Sequence, residues 1–428
     1  MNEPIAEKHR IRSIDTLRGI ALLGILLLNI IAFSRPLAEY FDPSVFETQS
    51  GLNLFVALTV DVWFEGAFRA IFSMLFGAGV LIFFSKSNSD EETIRALYYR
   101  RTWLLIGFGL FNSYILLWVG DILYVYGMAG LTLYFFRGYS PLRLAVFAGA
   151  IFFLLGILHT GTHFGTRALY TEFQEVESLS DGEEISEAQA NAVDNWDAYL
   201  QQQLATPEQM QAEIKIRMQG YIDNFIFSAQ INIIFQTILF LVNTFWDAAA
   251  MMLLGMVLMK WNIFDASRSL RFYSKMLIAG FSIGLFVNIW EVMMYVNSGF
   301  EPYWSQPARP TYDIGRLAMA FGYIGLTMIV CKLGVFARIV GALACVGQLA
   351  LTNYLMQSVI CNFIFMGFGF GLFGQLERLE IYYVVPGVWL FQLIFSVYWL
   401  QHYRFGPAEW LWRSLTYWKR QPLRRIVP

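Results

Sequence analysis

The chain has 428 residues, of which 57% are hydrophobic and 14% are charged, and its formal net charge at pH 7 is −2. A soluble domain carries roughly 25% charged residues, so this composition excludes an ordinary soluble protein. Many stretches of about 17 to 25 mostly apolar residues have the length of a helix that crosses a bilayer. Because lipid offers no partner for backbone polar groups, we predict an all-α, polytopic membrane helical bundle.

The bundle is predicted to contain about ten transmembrane helices. In chain order they lie at 17–34, 64–84, 101–119, 121–137, 142–160, 244–260, 275–296, 313–332, 340–363 and 382–402. With the N-terminus in the cytoplasm, every loop rich in Lys and Arg falls on the cytoplasmic side, as the positive-inside rule requires. This arrangement predicts a multi-pass protein with both termini in the cytoplasm.

Two further apolar segments, 51–63 and 222–243, do not fit as full spans. Counting either segment as a span would reverse the later loops and place their basic clusters outside. Segment 222–243 also holds three Asn and two Gln side chains, which are costly to expose to lipid. We therefore predict that both segments form interfacial or re-entrant helices.

The chain divides into four predicted regions. They are an N-terminal membrane half with five spans (1–160), an acidic extracytoplasmic cap (161–221), a C-terminal membrane half with five spans (222–404) and a basic cytoplasmic tail (405–428). In the cap, the stretch from Arg167 to Tyr221 holds eleven acidic and three basic residues. Thr206 and Pro207 predict a helix start, as N-cap and first helical residue. The cap is either a solvated cover or a lid over an outward-facing site.

Polar side chains form a stripe on the first span. Arg18 and Asn29 are eleven residues apart, which at 100° per residue places them on one face, about 16 Å apart along the axis. Asp15 falls within roughly 60° of the same face. A polar group at this depth normally faces protein or a water-filled cavity. The stripe indicates either a polar pathway into the bilayer or a helix-packing Asn29 with a snorkelling Arg18.

Asp61, Glu65 and Arg69 follow near the predicted outer surface, each four residues after the last. Residues four apart share one helix face, so these side chains can pair with each other. The pattern indicates either a structural ion pair where the span begins, or a functional carboxylate at Glu65 with Arg69 on a substrate path.

Three further titratable side chains are predicted at the outer surface. Asp121 lies in a very short turn, where it either caps the next helix or takes part in chemistry. His159 and His163 lie at the outer end of the fifth span. Histidine carries protons near neutral pH, although two histidines at a membrane surface are also common as interfacial polar residues.

The ninth span is too polar to face lipid. Asn353, Tyr354, Gln357 and Ser358 fall within about 140° of one another around the helix axis, so they face the bundle interior. Interhelical hydrogen bonds would explain them, and so would the lining of a substrate pathway.

Motifs of soluble enzymes are missing from the sequence. There is no Walker A loop, no Rossmann glycine fingerprint, no HExxH and no paired CxxC, so no metal site is predicted. The segment EWLWRSLTYWKRQ, which begins at Glu409, mixes Trp with Arg and Lys. That mixture is typical of an interfacial helix on an anionic leaflet. We therefore expect membrane lipids, and no nucleic acid, as partners.

Five stretches between residues 12 and 418 carry a resemblance. They are RSIDTLRGIALLGILLLN, FEGAFRAIFSMLFGAGV, GDILYVYGMAGL, GQLALTNYLMQS and FGPAEWLWRSLTYW. Together they resemble the YeiB-like family of bacterial inner-membrane proteins, whose domain is of unknown function. The first span is in turn similar to that of the transmembrane acyltransferase superfamily. This resemblance implies an acyltransferase-like fold in the bacterial inner membrane, with acyl-CoA, such as acetyl-CoA, as a co-substrate.

The resemblance also implies roles for individual residues. Asp15 and Arg18 match the superfamily pattern and would help to bind CoA, with Arg100 and Arg101 as further phosphate-binding groups. Asn29 stands where the O-acyltransferases carry a functional His, so it would hydrogen-bond the developing oxyanion.

This departure leaves the catalytic base to other residues on the outer side. The candidates are Glu65, Asp121, His159 and His163. An acyltransferase would deliver its acyl group to an envelope glycan, a lipid or a small-molecule acceptor. Two alternatives stay open: a transporter or exporter of a small lipid or envelope precursor, and a non-catalytic membrane scaffold that uses the acidic cap as its contact surface.

Overall fold

The computed structural model describes residues 11–41, 50–85, 90–179, 186–203, 205–305 and 308–425. Within these ranges the chain forms seventeen α-helices and no strand. They are α1 Arg12–Ser34, α2 Ala38–Phe41, α3 Gly51–Phe64, α4 Ala67–Ser85, α5 Glu91–Leu110, α6 Leu123–Phe136, α7 Pro141–Glu177, α8 Glu187–Gln203, α9 Pro207–Arg217, α10 Tyr221–Gln236, α11 Phe245–Lys260, α12 Leu270–Asn297, α13 Tyr312–Leu333, α14 Ala337–Gln348, α15 Ala350–Phe365, α16 Arg378–His402 and α17 Pro407–Thr416. The all-α bundle is therefore confirmed.

Seven helical segments in the described ranges are long and apolar enough to cross a membrane. They are Arg12–Ser34, Gly51–Ser85, Pro141–Glu177, Tyr221–Lys260, Leu270–Asn297, Tyr312–Leu333 and Arg378–His402. The pair α14 and α15, bent by 82°, makes an eighth if it counts as one span.

The predicted count of ten is not established by this structure. If the bent pair counts as one span, the two predicted spans that remain correspond to helices α5 and α6. Helix α6 has only 14 residues, and α5 carries Arg95, Arg100 and Arg101 within its length. Neither helix therefore reaches the length and hydropathy of a membrane span on its own.

The two apolar segments outside the predicted spans are helical and lead directly into the next span. Helix α3 meets α4 at Glu65 and Gly66, where the glycine has a φ of +67° that other residues rarely adopt. Helix α10 reaches α11 through a π-helical turn, Phe240–Thr244. Two side-chain amides of α10 form hydrogen bonds inside the bundle. Asn232 Nδ2 donates to the Ser113 carbonyl oxygen at 2.8 Å, and Gln236 Nε2 donates to the Ser113 hydroxyl.

Basic side chains collect at one end of the bundle, which we call the basic end. There Lys260 Nζ donates to the Arg137 carbonyl oxygen at 3.1 Å, and Lys332 Nζ donates to that of Ala266. Helix α17 packs against α5 and α15 at the same end. At 37 residues and about 55 Å, α7 is longer than the roughly 30 Å hydrocarbon core. It projects from the opposite end, which we call the acidic end.

Close helix crossings hold the central helices together. A Cβ atom at Gly77 of α4 would lie 1.9 Å from the Met252 carbonyl oxygen of α11. A Cβ atom at Gly347, at the end of α14, would lie 1.8 Å from the Asp15 carbonyl oxygen of α1. Glycine at these positions lets the two backbones touch, as is typical of membrane helix packing.

The cap docks onto the acidic end. Helix α9 begins with a capping box between Thr206 and Gln209, which confirms the predicted helix start. Glu213 Oε2 accepts a hydrogen bond from the Leu37 backbone N–H at 3.1 Å, and the Arg217 carbonyl oxygen accepts one from Gly367. Helix α7 crosses the predicted domain boundary at residue 160 without a break.

Candidate functional site

A cavity of about 260 Å³ lies inside the bundle at the basic end. Its walls come from α1, α4, α5, α6, α15 and α17, together with the bend between α14 and α15. Most of the wall is apolar. Along α4 the lining runs from Phe83 to Phe72, which corresponds to a depth of about 16 Å. The cavity therefore reaches well into the membrane-spanning part of the protein.

Three guanidinium groups line the cavity, those of Arg18, Arg101 and Arg413. Arg18 Nη1 donates to Asp15 Oδ1 at 3.1 Å, and its side chain stays 27% exposed. The Arg101 guanidinium lies over the Trp412 ring, 4.1 Å from its centroid. Arginine forks of this kind suit phosphate groups, so this part of the cavity favours an anionic ligand.

Helix α17 forms one wall of the cavity and is held there by a buried carboxylate. Glu409 accepts hydrogen bonds from the backbone N–H groups of Leu351 and Thr352, at 2.7 and 3.0 Å, and from the Thr352 hydroxyl at 2.5 Å. These donors belong to the first turn of α15, so Glu409 acts as its cap from another helix. The tail predicted to be interfacial is thus part of the cavity.

Hydroxyl groups lie among the deepest residues of the cavity lining. The Tyr126 and Ser73 hydroxyl oxygens are 2.5 Å apart, and the Tyr126 hydroxyl also reaches the Arg69 carbonyl oxygen at 3.4 Å. The Tyr354 hydroxyl accepts from Trp118 Nε1 and from the Ile122 backbone N–H, both at 3.1 Å. A ligand that fills the cavity would therefore meet polar groups at its inner end.

Beyond these hydroxyls, towards the acidic end, lies a cluster of buried charges. We call it the ion cluster, and its members are Asp61, Glu65, Arg69, His159, Asp247, Glu291, Arg309, Tyr312, Asp313 and Arg316. Arg309 makes a bidentate pair with Asp61 at 2.7 and 3.0 Å. Arg316 binds both Asp247 and Asp313.

Glu65 and Arg69 do not pair directly, because the break between α3 and α4 at Glu65 and Gly66 interrupts the single helix face on which their spacing would place them. The Tyr312 hydroxyl lies between them, because it donates to Glu65 Oε1 and accepts from Arg69 Nη2, both at 2.9 Å. Asp61 pairs with Arg309 instead of Arg69. The predicted ion pair on one helix face is thus replaced by bonds to residues in and just before α13.

Arg69 joins the cavity to the ion cluster. Its carbonyl oxygen meets the cavity-lining Tyr126 hydroxyl, and its guanidinium meets Tyr312. Hydrogen bonds through Arg69 therefore connect the inner end of the cavity to the ion cluster.

His159 is the predicted histidine that lies in this cluster. Its Nδ1 atom is 3.9 Å from Asp313 Oδ2, and its Nε2 atom is 3.4 Å from Asn243 Nδ2. Among the described residues, neither His159 Nδ1 nor Asp313 Oδ2 has a hydrogen-bond partner, although both are buried. Such a pair of unsatisfied atoms is unusual inside a protein.

Three other candidate residues lie elsewhere. His163 Nδ1 lies 2.6 Å from the Tyr303 carbonyl oxygen, which fixes its ring in the cap. Asp121 accepts from Asn112 Nδ2 and from the Tyr124 backbone N–H, both at 2.8 Å, as a helix cap does. Asn29 is half-buried on α1 and is not among the described residues that line the cavity.

Of the polar residues of the ninth span, Tyr354 lines the cavity. Asn353 Nδ2 instead donates to Ser396 Oγ on α16 at 2.9 Å, and Gln357 Nε2 donates to Gln392 on the same helix. Ser358 is buried nearby. These contacts favour interhelical packing for this face of α15.

Arg100 and Arg101 have different surroundings. Arg100 Nη1 donates to the Thr416 carbonyl oxygen at 3.0 Å and lies outside the cavity lining, whereas Arg101 is part of it. Arg413 and Trp412 were missed as cavity residues, although the basic and aromatic tail was noted. Asp313 and Arg316 were missed as well, and their spacing of three within an apolar span was the signal.

The bundle and its cavity define a polytopic helical membrane protein with an internal cavity that is lined by three arginines. Residues 258–419 match the family described as "Protein of unknown function (DUF418)". That segment supplies α12 to α17, and with them the α15 and α17 walls of the cavity and much of the ion cluster.

The chain is similar to three curated proteins over nearly its whole length. It is 29% identical to the uncharacterized protein YeiB of Escherichia coli (strain K12), over 94% of this chain and 95% of that protein. It is 25% identical to the uncharacterized protein YxaH of Bacillus subtilis (strain 168), over 99% of this chain and 98% of that protein. It is 23% identical to an uncharacterized 39.9 kDa protein in the amylase 3' region of Bacillus acidopullulyticus, over 98% of each. The resemblance to YeiB-like proteins is thereby confirmed.

Proposed function

We propose that this protein is a membrane-embedded acyltransferase. It takes an acyl group from acyl-CoA bound in the cavity and passes it to an acceptor at the acidic end. In this proposal the basic end, with both termini, faces the cytoplasm of a bacterium, and the acidic end faces the cell envelope.

The shape and charge of the cavity carry the proposal. Arg18, Arg101 and Arg413 suit the phosphates of CoA, and the apolar walls beyond them suit its pantetheine arm. That arm has about thirteen bonds between phosphorus and sulfur, which gives an extended length of about 16 Å. The cavity runs to a similar depth along α4, so a thioester would come to lie near the Tyr126 hydroxyl.

The inner end of the cavity supports a transfer reaction. A hydroxyl such as that of Tyr126 can donate a hydrogen bond to the thioester oxygen as negative charge develops there. The ion cluster begins one helical turn away, with Glu65 and His159 as candidate bases. Asn29 keeps its proposed oxyanion role only if the ligand extends beyond the described cavity.

The first test is binding of CoA and acetyl-CoA to the detergent-purified protein, by calorimetry. We expect micromolar binding that Arg101→Ala weakens at least about tenfold, because a charge-assisted contact to phosphate is lost. Arg100→Ala is the matched control, since this neighbour lies outside the cavity, and it should change affinity less than about twofold. Folded protein that binds no CoA at millimolar concentration would refute the proposal.

Turnover is the second test, by transfer of labelled acetyl groups to envelope extracts. Glu65→Gln and His159→Gln should each lower transfer while leaving CoA binding intact, because neither residue touches the cavity. If Asn29→Ala keeps full turnover, Asn29 has no role in the mechanism. The cavity would still be the proposed site of acyl-CoA binding.

A further inference from the structure

The ion cluster carries more negative than positive charge. It holds five carboxylates, those of Asp61, Glu65, Asp247, Glu291 and Asp313, against three guanidinium groups. The adjacent group, in which Arg35 and Arg378 flank Glu39, has a net formal charge of +1. Among the described residues of these two groups, carboxylates therefore outnumber guanidinium groups by one, and a buried charge is costly unless it is compensated.

The unsatisfied atoms lie in the same cluster. His159 Nδ1 and Asp313 Oδ2 are 3.9 Å apart, and both residues are more than nine-tenths buried. One hydrogen-bond donor at about 2.9 Å from each atom fits this separation. A proton on Asp313 would remove the charge, but it would leave the two atoms too far apart to bond.

We propose that the space between His159 and Asp313 binds the ammonium group of a primary amine, and that this amine is the acyl acceptor. An ammonium group brings the missing positive charge and several N–H donors at once. No three His, Cys, Asp or Glu side chains in the described ranges converge as a metal ion requires, which favours an organic cation. The inference rests on the proposed function, because it names the acceptor class of that reaction.

The exposure of the ion cluster and the negative charge of the cap both favour a cationic ligand. The Asp61 and Asp247 side chains are 17% and 15% exposed, so the surrounding protein does not enclose the cluster completely. In the part of the cap that the structure describes, eight acidic and three basic residues lie between Arg167 and Tyr221. An excess of one charge sign around a cleft raises the local concentration of the opposite charge and speeds its arrival.

The transfer step balances with His159 as the base. The ammonium group gives one proton to His159, and the resulting amine nitrogen attacks the thioester carbon. The new C–N bond forms as the C–S bond breaks, and the CoA sulfur leaves with the second N–H proton. The proton on His159 is then released, so an ammonium and an acyl-CoA give an amide, CoA and one proton.

The test uses the full-length protein in phosphatidylcholine nanodiscs, titrated by calorimetry with three small probes. Ethanolamine carries an ammonium group, choline carries the same charge without N–H donors, and ethylene glycol has a hydroxyl in place of the ammonium. We expect ethanolamine to bind at least about tenfold more tightly than either of the others. Equal binding of choline or of ethylene glycol would overturn the proposal.

Two variants identify the site. Asp313→Asn should weaken ethanolamine binding at least about tenfold, whereas Asp265→Asn, at an exposed carboxylate of the basic end, should not change it. If Asp313→Asn does not fold, His159→Phe keeps the ring and removes the acceptor atom, with His402→Phe at the exposed end of α16 as control. Full ethanolamine affinity in folded His159→Phe would overturn the site.

The source of the amine is tested by changing the lipid. In nanodiscs that contain phosphatidylethanolamine, competition with free ethanolamine would assign the site to a lipid headgroup, and unchanged affinity would assign it to a soluble amine. CoA binding is measured in the same samples. Its loss would refute the proposed function, whereas CoA binding without ethanolamine binding would overturn this inference alone.

Discussion

The cavity and the ion cluster differ in how they hold charged side chains within one bundle. The cavity has mainly apolar walls, and its three arginines lie among the lining residues, where a ligand can reach them. The ion cluster buries its charges and must satisfy them internally, since Arg309 and Arg316 are 4% and 3% exposed. Substitutions in the cavity should therefore change CoA binding, and loss of a buried arginine from the cluster should change stability.

The largest effect is expected from Arg316→Leu. It leaves the carboxylates of Asp247 and Asp313 without their shared partner in a buried site, which costs about 3 to 5 kcal/mol of folding free energy. The measurement is the thermal unfolding temperature of the purified protein in detergent. Arg271→Leu, on the exposed first turn of α12, is the control and should stay close to the parent protein. Equal unfolding temperatures for both variants would contradict the division between the two regions.

Two glycines of α4 sharpen the comparison, because they lie two residues apart on different faces. Gly77→Ala should destabilise the fold by about 1 to 3 kcal/mol or more, since its Cβ meets the Met252 backbone of α11. Gly79 lines the cavity, and a Cβ there meets nothing within 4 Å. Gly79→Leu should therefore keep the fold and reduce CoA affinity about tenfold.

Calorimetry and thermal unfolding on the same preparations separate the two outcomes. If Gly79→Leu unfolds as readily as Gly77→Ala, the open space beside Gly79 is not a cavity in the folded protein. If Gly79→Leu is stable and binds CoA normally, the ligand does not occupy this part of the cavity.

Local and periodic features could be predicted from the sequence. Hydropathy predicted the helices, the Thr206 pattern predicted the start of α9, and helical periodicity placed Asp15 and Arg18 on one face. These features depend only on residues within a few turns of each other. The resemblance to YeiB-like proteins likewise came from short stretches read along the chain.

Contacts between distant residues could not be predicted in the same way. The Asp61 and Arg309 pair joins positions 248 residues apart, and Arg101 meets Trp412 across 311 residues. Periodicity gives the face on which a side chain lies, but not the helix that covers that face. The sequence therefore suggested a pairing of Glu65 with Arg69, and the structure inserts Tyr312 between them.

A smaller effect on stability is expected at Glu409, which holds the α17 wall of the cavity against α15. Glu409→Gln keeps the shape of the side chain but removes the negative charge at the start of α15, which should cost about 1 to 2 kcal/mol. In this variant, the backbone amides of α17 should exchange their hydrogens faster than in the parent protein. The exchange rates of the α16 amides should change less. Uniform exchange across both helices would show that Glu409 does not anchor the wall on its own.

The smallest effect is expected from Asn353→Ala, which removes two interhelical hydrogen bonds, one to Ser396 Oγ on α16 and a longer one to the Val346 carbonyl oxygen on α14. Such bonds in membrane bundles contribute about 0.6 kcal/mol on average, so the unfolding temperature should fall only slightly. CoA affinity should be unchanged, because Asn353 faces α16 and its neighbour Tyr354 lines the cavity. Tyr354→Phe is the matched variant. We expect it to change CoA binding and also to lower stability more than Asn353→Ala does, because Trp118 Nε1–H and the Ile122 backbone N–H lose their acceptor. If Asn353→Ala instead abolished CoA binding, the ligand path would run between α15 and α16, and the cavity would have to be reassigned.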